Sequence, residues 1–409
     1  MKLLLINHYA GQPALGMEYR PYYLAREWVR SGHTVRILAA SFSHVRARQP
    51  EPGDEIVDGI EYHWLPAPPY QGNGLGRVRN IMAFMSQVWA QAQALADGFQ
   101  PDAVIASSTY PMDIWVARRV VQFVRAAGRP CKLVYEVHDL WPLSPIELSG
   151  MSPWHPFALI CQSAEDAAYR HSDRVISMLP KVQQHMAGRG LDLSRLSIVP
   201  NGISPDDWKQ TPPPLRQDLA DALAEARVRK QVIVGYAGSM GLPNALDHLL
   251  DAIPRLAGAP IAVLMVGDGH ERERLARRIA DEALGAVRLL PPIPKAQVPA
   301  FLAAIDIAYI GWQRVPIYRF GIAPNKLMDY MMAGRTVLHA VEAGNDPVAE
   351  AGCGLTVPPE DPAAIAQGLQ RLAALKPGER KAMGERGRQF VLRHHSYPVL
   401  AQRFLAALG

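Results

Sequence analysis

Cysteine is scarce in this 409-residue chain: Cys131, Cys161 and Cys353 lie far apart, with no ligand-like spacing. Disulfide frameworks and zinc sites need paired or clustered thiols, so neither is expected, and the three thiols read as buried and free. No apolar run approaches the ~20 residues that cross a bilayer. The opening "MKLLLINHY" is apolar only from Leu3 to Ile6 before Asn7 and His8 interrupt it. It reads as a buried first strand rather than a leader, and a cytoplasmic location is expected. Neither "GQPALG" nor "GSMGLP" supplies the Gly-x-Gly-x-x-Gly turn of close pyrophosphate approach, which argues against a nicotinamide-dependent oxidoreductase. Charge is not massed either. The formal net charge of +5 is spread over both halves, without a basic stripe, so nucleic acid is not an expected partner. A negatively charged substrate or an anionic membrane face fits this balance. No self-similarity with a period of about 20–50 residues is present, which excludes a solenoid.

What remains is globular: 49% hydrophobic and 20% charged residues in a chain long enough for two cores. Short apolar runs alternate with amphipathic stretches. "KLLLIN", "HTVRILAA", "DAVIASS", "KLVYEV" and "DRVISM" read as strands of a first parallel sheet, with a variable, arginine-bearing loop after the second. Near residue 200 the Pro-rich, polar "PNGISPDDWKQTPPPLRQ" suits a connection. Alternation restarts with "QVIVGYAG", "IAVLMVGDG", "VRLLPPI", "IDIAYIGW" and "TVLHAV". The expected architecture is α/β, with two Rossmann-like doubly wound domains facing a cleft. The expected divisions are an N-terminal domain over 1–200, a linker over 201–230, a second domain over 231–385, and a C-terminal helix, 386–409, returning to the first domain.

Ligands of such sheets bind beyond the carboxyl ends of the strands. The most informative stretch in that position is "YRFGIAPNKLMDYMMAG", residues 318–334. Pro324 suits a helix start because its missing N–H is not needed there. A first helical turn offers unpaired amides and a partial positive charge, so a diphosphate would find donors from Asn325, Lys326 and Leu327, aided by the Lys326 ammonium. Asp329 shares a face with Asn325 one turn on, placed to accept hydrogen bonds from a ribose diol. His138 and Asp139, in "EVHDLWP", follow a buried strand. A satisfied core histidine and a capping aspartate are the plain alternatives for these two. Arg20 opens a helix where a cation is not electrostatically favoured, which hints at an anionic ligand. Arg46, Arg48, Arg77 and Arg79, with Trp64 and Tyr70, form a candidate membrane-facing surface.

"VGDGHERERL" followed by "VRLLPPIPKAQVPAFLAAIDIAYI" resembles the donor domain of GT-B-fold glycosyltransferases of family 4, a retaining family using nucleotide-sugar donors. "GMEYRPYYLAREWVRSGHTV", "DLWPLSPIELSG" and "APNKLMDYMMAG" resemble a WbuB-like subgroup of bacterial surface-polysaccharide enzymes. The resemblance spans essentially the whole chain. It implies a catalytic or sugar-contacting role for His138, with Asp139 beside it. It places Gly16 at the glycine loop near the donor phosphate, and Gly238, Ser239, Asn244 and Gly267 around the diphosphate. Ile293, within Pro292 to Pro294, falls where the nucleobase meets backbone. Ile322, Ala323, Pro324, Asn325 and Lys326 form the helix entry, and Asp329 matches the second acid of a paired motif. Glu18 is the candidate acceptor-binding residue.

Three positions depart from that pattern. Gly321 replaces the first acid of the pair, while Ser239 and Asn244 stand where many members carry an Arg and a Lys. Lys326 and Arg20 are the candidate replacements. No Asp-x-Asp occurs, so no metal site and no cofactor are expected, and leaving-group charge falls to amides and cations. The implied activity is transfer of a sugar, an N-acetylated deoxyhexosamine such as N-acetylfucosamine, from a UDP-sugar. The implied acceptor is a polyisoprenyl-diphosphate-linked saccharide of O-antigen or capsule assembly, met at the inner face of the plasma membrane. The alternatives are a UDP-sugar 2-epimerase of similar fold and an inactive sugar-nucleotide-binding protein.

Overall fold

A computed structural model describes residues 1–16, 19–72, 74–256 and 258–409. They form two compact units, Met1–Asn201 with Tyr397–Gly409, and Gly202–Ser396. In the first unit eight strands run β1 (Lys2–Ile6), β2 (Thr34–Ala40), β3 (Gly53–Val57), β4 (Ile60–Leu65), β5 (Ala103–Ala106), β6 (Lys132–Val137), β7 (Arg174–Ser177) and β8 (Leu196–Ile198). Their spatial order is β3-β4-β2-β1-β5-β6-β7-β8. Leu3, Leu4, Leu5 and Ile6 of β1 are all buried, as a central strand covered on both faces requires. The stretch expected as a variable loop after β2 instead contains an antiparallel hairpin, β3 with β4. Asp58 and Gly59 turn it with φ of 50° and 79°, the positive pair that suits a tight hairpin.

One face of this sheet is covered by the helix Tyr19–Arg30 and by the last helix, Tyr397–Leu408. Tyr23 stacks on Tyr397 with centroids 4.8 Å apart, and Trp28 meets Phe404 edge-on at 5.0 Å. The Trp28 indole N–H donates to the Ala401 carbonyl at 3.3 Å. The C-terminal helical stretch breaks into Pro377–His394, within the second unit, and Tyr397–Leu408, within the first. Pro398 supplies no amide to continue a helix across His395 and Ser396 but is tolerated in a first turn.

The second unit holds β9 (Val232–Ala237), β10 (Ile261–Val266), β11 (Val287–Leu290), β12 (Ile307–Gly311), β13 (Thr336–Ala340) and β14 (Gly354–Val357). The sheet is parallel throughout, in the order β11-β10-β9-β12-β13-β14. Within 201–230 lies the helix Gln217–Val228, whose Leu219, Leu223 and Ala226 join the core of this unit. Their helical spacing gives an apolar stripe that a bare linker would leave in water. The helix Pro377–His394 comes so near the turn before β13 that a Cβ on Gly384 would sit 1.9 Å from the Gly334 carbonyl oxygen. All three cysteines are buried and free.

Strand order reverses between β1 and β5 in the first sheet and between β9 and β12 in the second, and ligands of doubly wound sheets favour such points. Among the described residues no helix is long and apolar enough to cross a membrane.

The last helix tests its own weight in the first unit. Phe404→Ala opens a cavity against Trp28 and should lower stability by about 3–5 kcal/mol, read as a lower urea midpoint for that unit.

Candidate active site

A recess of about 470 Å³ opens past the carboxyl ends of β9, β10 and β11. Ala237, Gly238 and Ser239 come from the end of β9 and its loop, and Val266, Gly267 and Asp268 from β10 and its loop. Close approach of these two loops makes the floor. A Cβ on Gly267 would fall 1.9 Å from the Gly238 carbonyl oxygen, and one on Gly269 would fall 2.4 Å from that of Met240. Pro292, Ile293 and Val298 form one wall; Pro324, Asn325, Lys326, Asp329 and Tyr330 form the other.

The second wall begins with the helix Asn325–Met332, whose Leu327, Met328, Tyr330, Met331 and Met332 are buried. Pro324 is its N-cap, extended at ψ 130°, one position before the first helical residue rather than at it as expected. The Leu327 amide donates to the Pro324 carbonyl at 3.2 Å, so it is engaged in the first turn rather than held for a ligand. Ile322 does not line the recess. Its side chain is buried, its N–H donates to Asn345 Oδ1 at 2.7 Å and its carbonyl accepts from Asn345 Nδ2 at 3.1 Å, so its role is to anchor the helix entry. Ala323 lies between that anchor and Pro324 and is likewise not part of the lining. Gly321 adopts φ +98°, a conformation that disfavours any side chain and accounts for the missing acid.

Lys326 meets only neutral partners among the contacts seen. Its ammonium donates to the Tyr236 hydroxyl at 2.8 Å and to Asn244 Oδ1 at 2.6 Å, and lies 4.5 Å from the Tyr236 ring centre. Burial without a carboxylate pushes its pKa down to about 7. Asn244 therefore serves Lys326 and stands one step behind the lining. Asp329 has the opposite problem: burial raises its pKa to about 6, with Lys295 drawing it down and Asp207 pushing it up.

In the first unit, His138 follows β6, with Nε2 3.0 Å from Ser107 Oγ and 3.4 Å from Glu136 Oε2. Asp139 beside it is exposed. Arg20 overturns the reading of it as a phosphate-binding cation. It is buried, its Nε and Nη2 donate to Glu136 Oε1 at 3.0 and 2.8 Å, and it also holds the carbonyls of Pro200 and Val199. Burial raises the Glu136 carboxyl, but Arg20, His138 and Ser107 outweigh it and hold it down at about 2. Gly16 adopts φ +94° beside Ala47, with a Cβ there 3.0 Å from the Ala47 nitrogen. Glu18 lies outside the described residues. The candidate membrane surface is corrected in part: Arg46, Trp64 and Tyr70 are buried, with the Arg46 guanidinium over the Trp64 ring at 5.2 Å, whereas Arg48 and Arg79 are exposed and Arg77 is half-buried.

The structure thus brings Gly238, Ser239, Gly267, Ile293, Pro324, Asn325, Lys326 and Asp329 to one recess, with Asn244 behind it. Sequence reasoning missed Ser107, Glu136 and Tyr236. Glu136 carried a signal, as a carboxylate inside the apolar strand "KLVYEV" must be paired if buried.

Comparison with known proteins gives the family and the fold. Residues 16–202 match the glycosyl transferase 4-like domain and residues 231–374 match glycosyl transferases group 1. The probable glycosyltransferase WbjE of Pseudomonas aeruginosa is 21% identical over 280 residues, 68% of each chain. The putative colanic acid biosynthesis glycosyl transferase WcaI of Escherichia coli is 22% identical over 252 residues, 59% of this chain and 58% of that one. The Anabaena HepE structure in complex with UDP-glucose superposes with a TM-score of 0.67 at 17% identity, covering 100% of this chain and 99% of that one. The chain belongs to the GT-B glycosyltransferases, with a 4-like first half and a group 1 second half.

Lys326 gives a stability test. Between about pH 7, its folded value, and about 10.4, its unfolded one, the unfolded chain binds more protons, so stability from this group rises with pH. Lys326→Met should therefore exceed the natural protein at pH 6 by about 1–3 kcal/mol, allowing for water at the recess edge. The gap should narrow steadily above about pH 7 and close only as the pH approaches about 10.4, in parallel chemical denaturations.

Proposed function

We propose that this chain is a retaining glycosyltransferase that moves a sugar from a UDP-sugar to a lipid-linked saccharide during surface-polysaccharide assembly. The observation that carries the reading is the recess: a half-buried Lys326 held, among the described residues, by the neutral Tyr236 and Asn244, and a half-buried Asp329, one turn apart beyond a parallel sheet. A diphosphate supplies the charge that Lys326 lacks, and a ribose diol supplies two donors for Asp329. Ile293 and the neighbouring prolines give the base an apolar wall with backbone groups beside it. The bound sugar leaves its diphosphate while Lys326 and the helix entry meet the developing charge. His138 is assigned to the donor sugar, and Asp139 to its support.

WcaI, by its description a colanic acid enzyme, supports the polysaccharide context, and HepE, seen with UDP-glucose, supports the UDP donor. Gly321 removes an acid that would grip sugar hydroxyls, which supports a donor sugar poorer in them, such as an N-acetylated deoxyhexosamine.

A thermal-shift screen over nucleoside diphosphates and their sugars tests the donor, since selective binding to the folded state raises its melting temperature. UDP compounds should stabilise the protein over GDP and ADP compounds. No nucleotide stabilising it would sink the reading. Asp329→Asn should weaken UDP binding roughly tenfold and 2′-deoxy-UDP binding far less, by calorimetry. UDP affinity should fall below about pH 6, where Asp329 protonates, and above about pH 7, where Lys326 loses its proton. The first limb should vanish in Asp329→Asn and the second in Lys326→Met. In an assay with a lipid-linked acceptor pool, His138→Ala should lower turnover by about 100-fold or more and leave UDP affinity unchanged.

A further inference from the structure

Large apolar side chains in water are scattered singly over most of the described residues, as at Ile56, Leu193, Val228 and Leu242, and need no partner there. Two stretches of the first unit differ. Leu75, Val78, Met82 and Trp89 are exposed on the helix Leu75–Gly98, at steps of 3, 4 and 7 residues that align them along one side over about 21 Å. Phe84, Val88 and Leu95 bury another side of that helix, so the stripe is not its core face. No charged residue falls between Arg79 and Asp97, although a helix facing water ordinarily carries charge outward. The second stretch exposes Leu148, Trp154, Leu159 and Ile160, and has no Asp, Glu, Lys or Arg between Glu147 and Glu165. Two ring contacts join the stretches. The Arg77 guanidinium lies 6.0 Å from the Trp141 ring centre, and Trp141 meets Phe157 edge-on at 5.8 Å.

We propose that this face docks on a membrane surface bearing anionic lipids, with Leu75, Met82 and Trp154 entering the headgroup layer. Its composition fits that occupant. Trp89 and Trp154, 46% and 82% exposed, are the two exposed tryptophans of the eight in the chain, and tryptophan favours the boundary between headgroups and acyl chains. Basic groups border the stripe: Arg77 and Arg79 at its start, and Arg119 over the Trp89 ring at 4.3 Å. Anionic headgroups complement them. A two-fold copy of this chain would instead set this one-signed border against itself. No described helix is long and apolar enough to cross a bilayer, so the contact is with its surface. Place matters as well. The helices Leu75–Gly98 and Pro156–His171 follow the parallel strands β4 and β6, so the stripe and Trp154 start at the carboxyl edge where His138 stands. An acceptor held in the bilayer by its lipid would thus meet the first unit at the edge where its polar groups collect. The proposal deepens the reading of a lipid-linked acceptor and rests on it for its purpose.

Co-sedimentation of the full chain with vesicles tests the face. The natural protein should bind vesicles of equal parts phosphatidylglycerol and phosphatidylcholine roughly tenfold more tightly than phosphatidylcholine alone, and less tightly as salt rises. Met82→Ser combined with Trp154→Ser should weaken binding roughly tenfold or more, because each takes an apolar group out of the layer. Val228→Ser, equally exposed but in the second unit, should leave it unchanged. Brominated acyl chains give a second reading that needs no loss of binding: they should quench the tryptophan fluorescence of the natural protein, and that of Trp154→Phe less. Failure of the natural protein to bind the anionic vesicles overturns the proposal whether or not any variant folds, and so does undiminished binding by the double variant. A natural protein that sediments as a dimer, made monomeric by the double substitution, would give the face to a second copy and overturn it too. Vesicle binding needs no nucleotide. Docking without stabilisation by any nucleotide would therefore count against the functional reading, and UDP binding without docking would count against the face.

Discussion

A strand buried on both faces cannot hold polar side chains along its length unless each is paired, so its chemistry collects past its carboxyl end. Both sheets obey this constraint. β1, β10, β12 and β13 are buried at nearly every position, and the polar groups of interest begin where they and their neighbours stop. Asn7, Ser107 and His138 follow three adjacent strands of the first sheet, and Gly238, Gly267 and Ile293 follow three adjacent strands of the second. Glycines at the second edge then let loops approach within contact of one another, and the recess keeps a backbone floor rather than a side-chain one.

The two units handle desolvated cations in opposite ways. Arg20 is fully paired, with Glu136 and two carbonyls taking its donors. Such a pair contributes little net stability, yet breaking one side costs about 3–5 kcal/mol, so it fixes geometry more than it stabilises. Lys326 is held by a hydroxyl, an amide oxygen and an aromatic face, all neutral. Neutral partners orient an ammonium without cancelling its charge, and the field stays available to an anion. A paired cation belongs to the scaffold; a neutrally held one facing a recess is suited to a ligand.

That distinction explains what the sequence could and could not reveal. The alternation of apolar runs and amphipathic stretches predicted the parallel sheets, because periodicity follows from burial. Pro324 ahead of an apolar helix pattern predicted the helix entry at Asn325 within one residue. Arg20 was misjudged because its helix position argued for a ligand, whereas its partner, Glu136, lies 116 residues away in β6 and only folding brings the two together. Ile322 was placed among the donor-binding residues by the family resemblance, but Asn345 claims both of its backbone groups. The β3–β4 hairpin was legible: "IVDGIEYHWL" carries the Asp-Gly turn signal between alternating residues.

Gly321 and Lys326 are consistent with a single local solution. With φ at +98°, residue 321 turns the chain from the short helix Pro316–Phe320 so that the Asn345 amide can clamp Ile322, and a side chain there would be strained. A carboxylate at that position would also add negative charge near the helix entry, against the anion binding proposed there. With the acid gone and residue 244 an asparagine, the cation arises on the helix itself, at Lys326, and Asn244 becomes its holder. Charge and holder have thus been divided between two elements, the turn after β9 and the helix entry. The cation can then be desolvated in place, where its attraction for a diphosphate is strongest, and it does not reach in from a mobile loop.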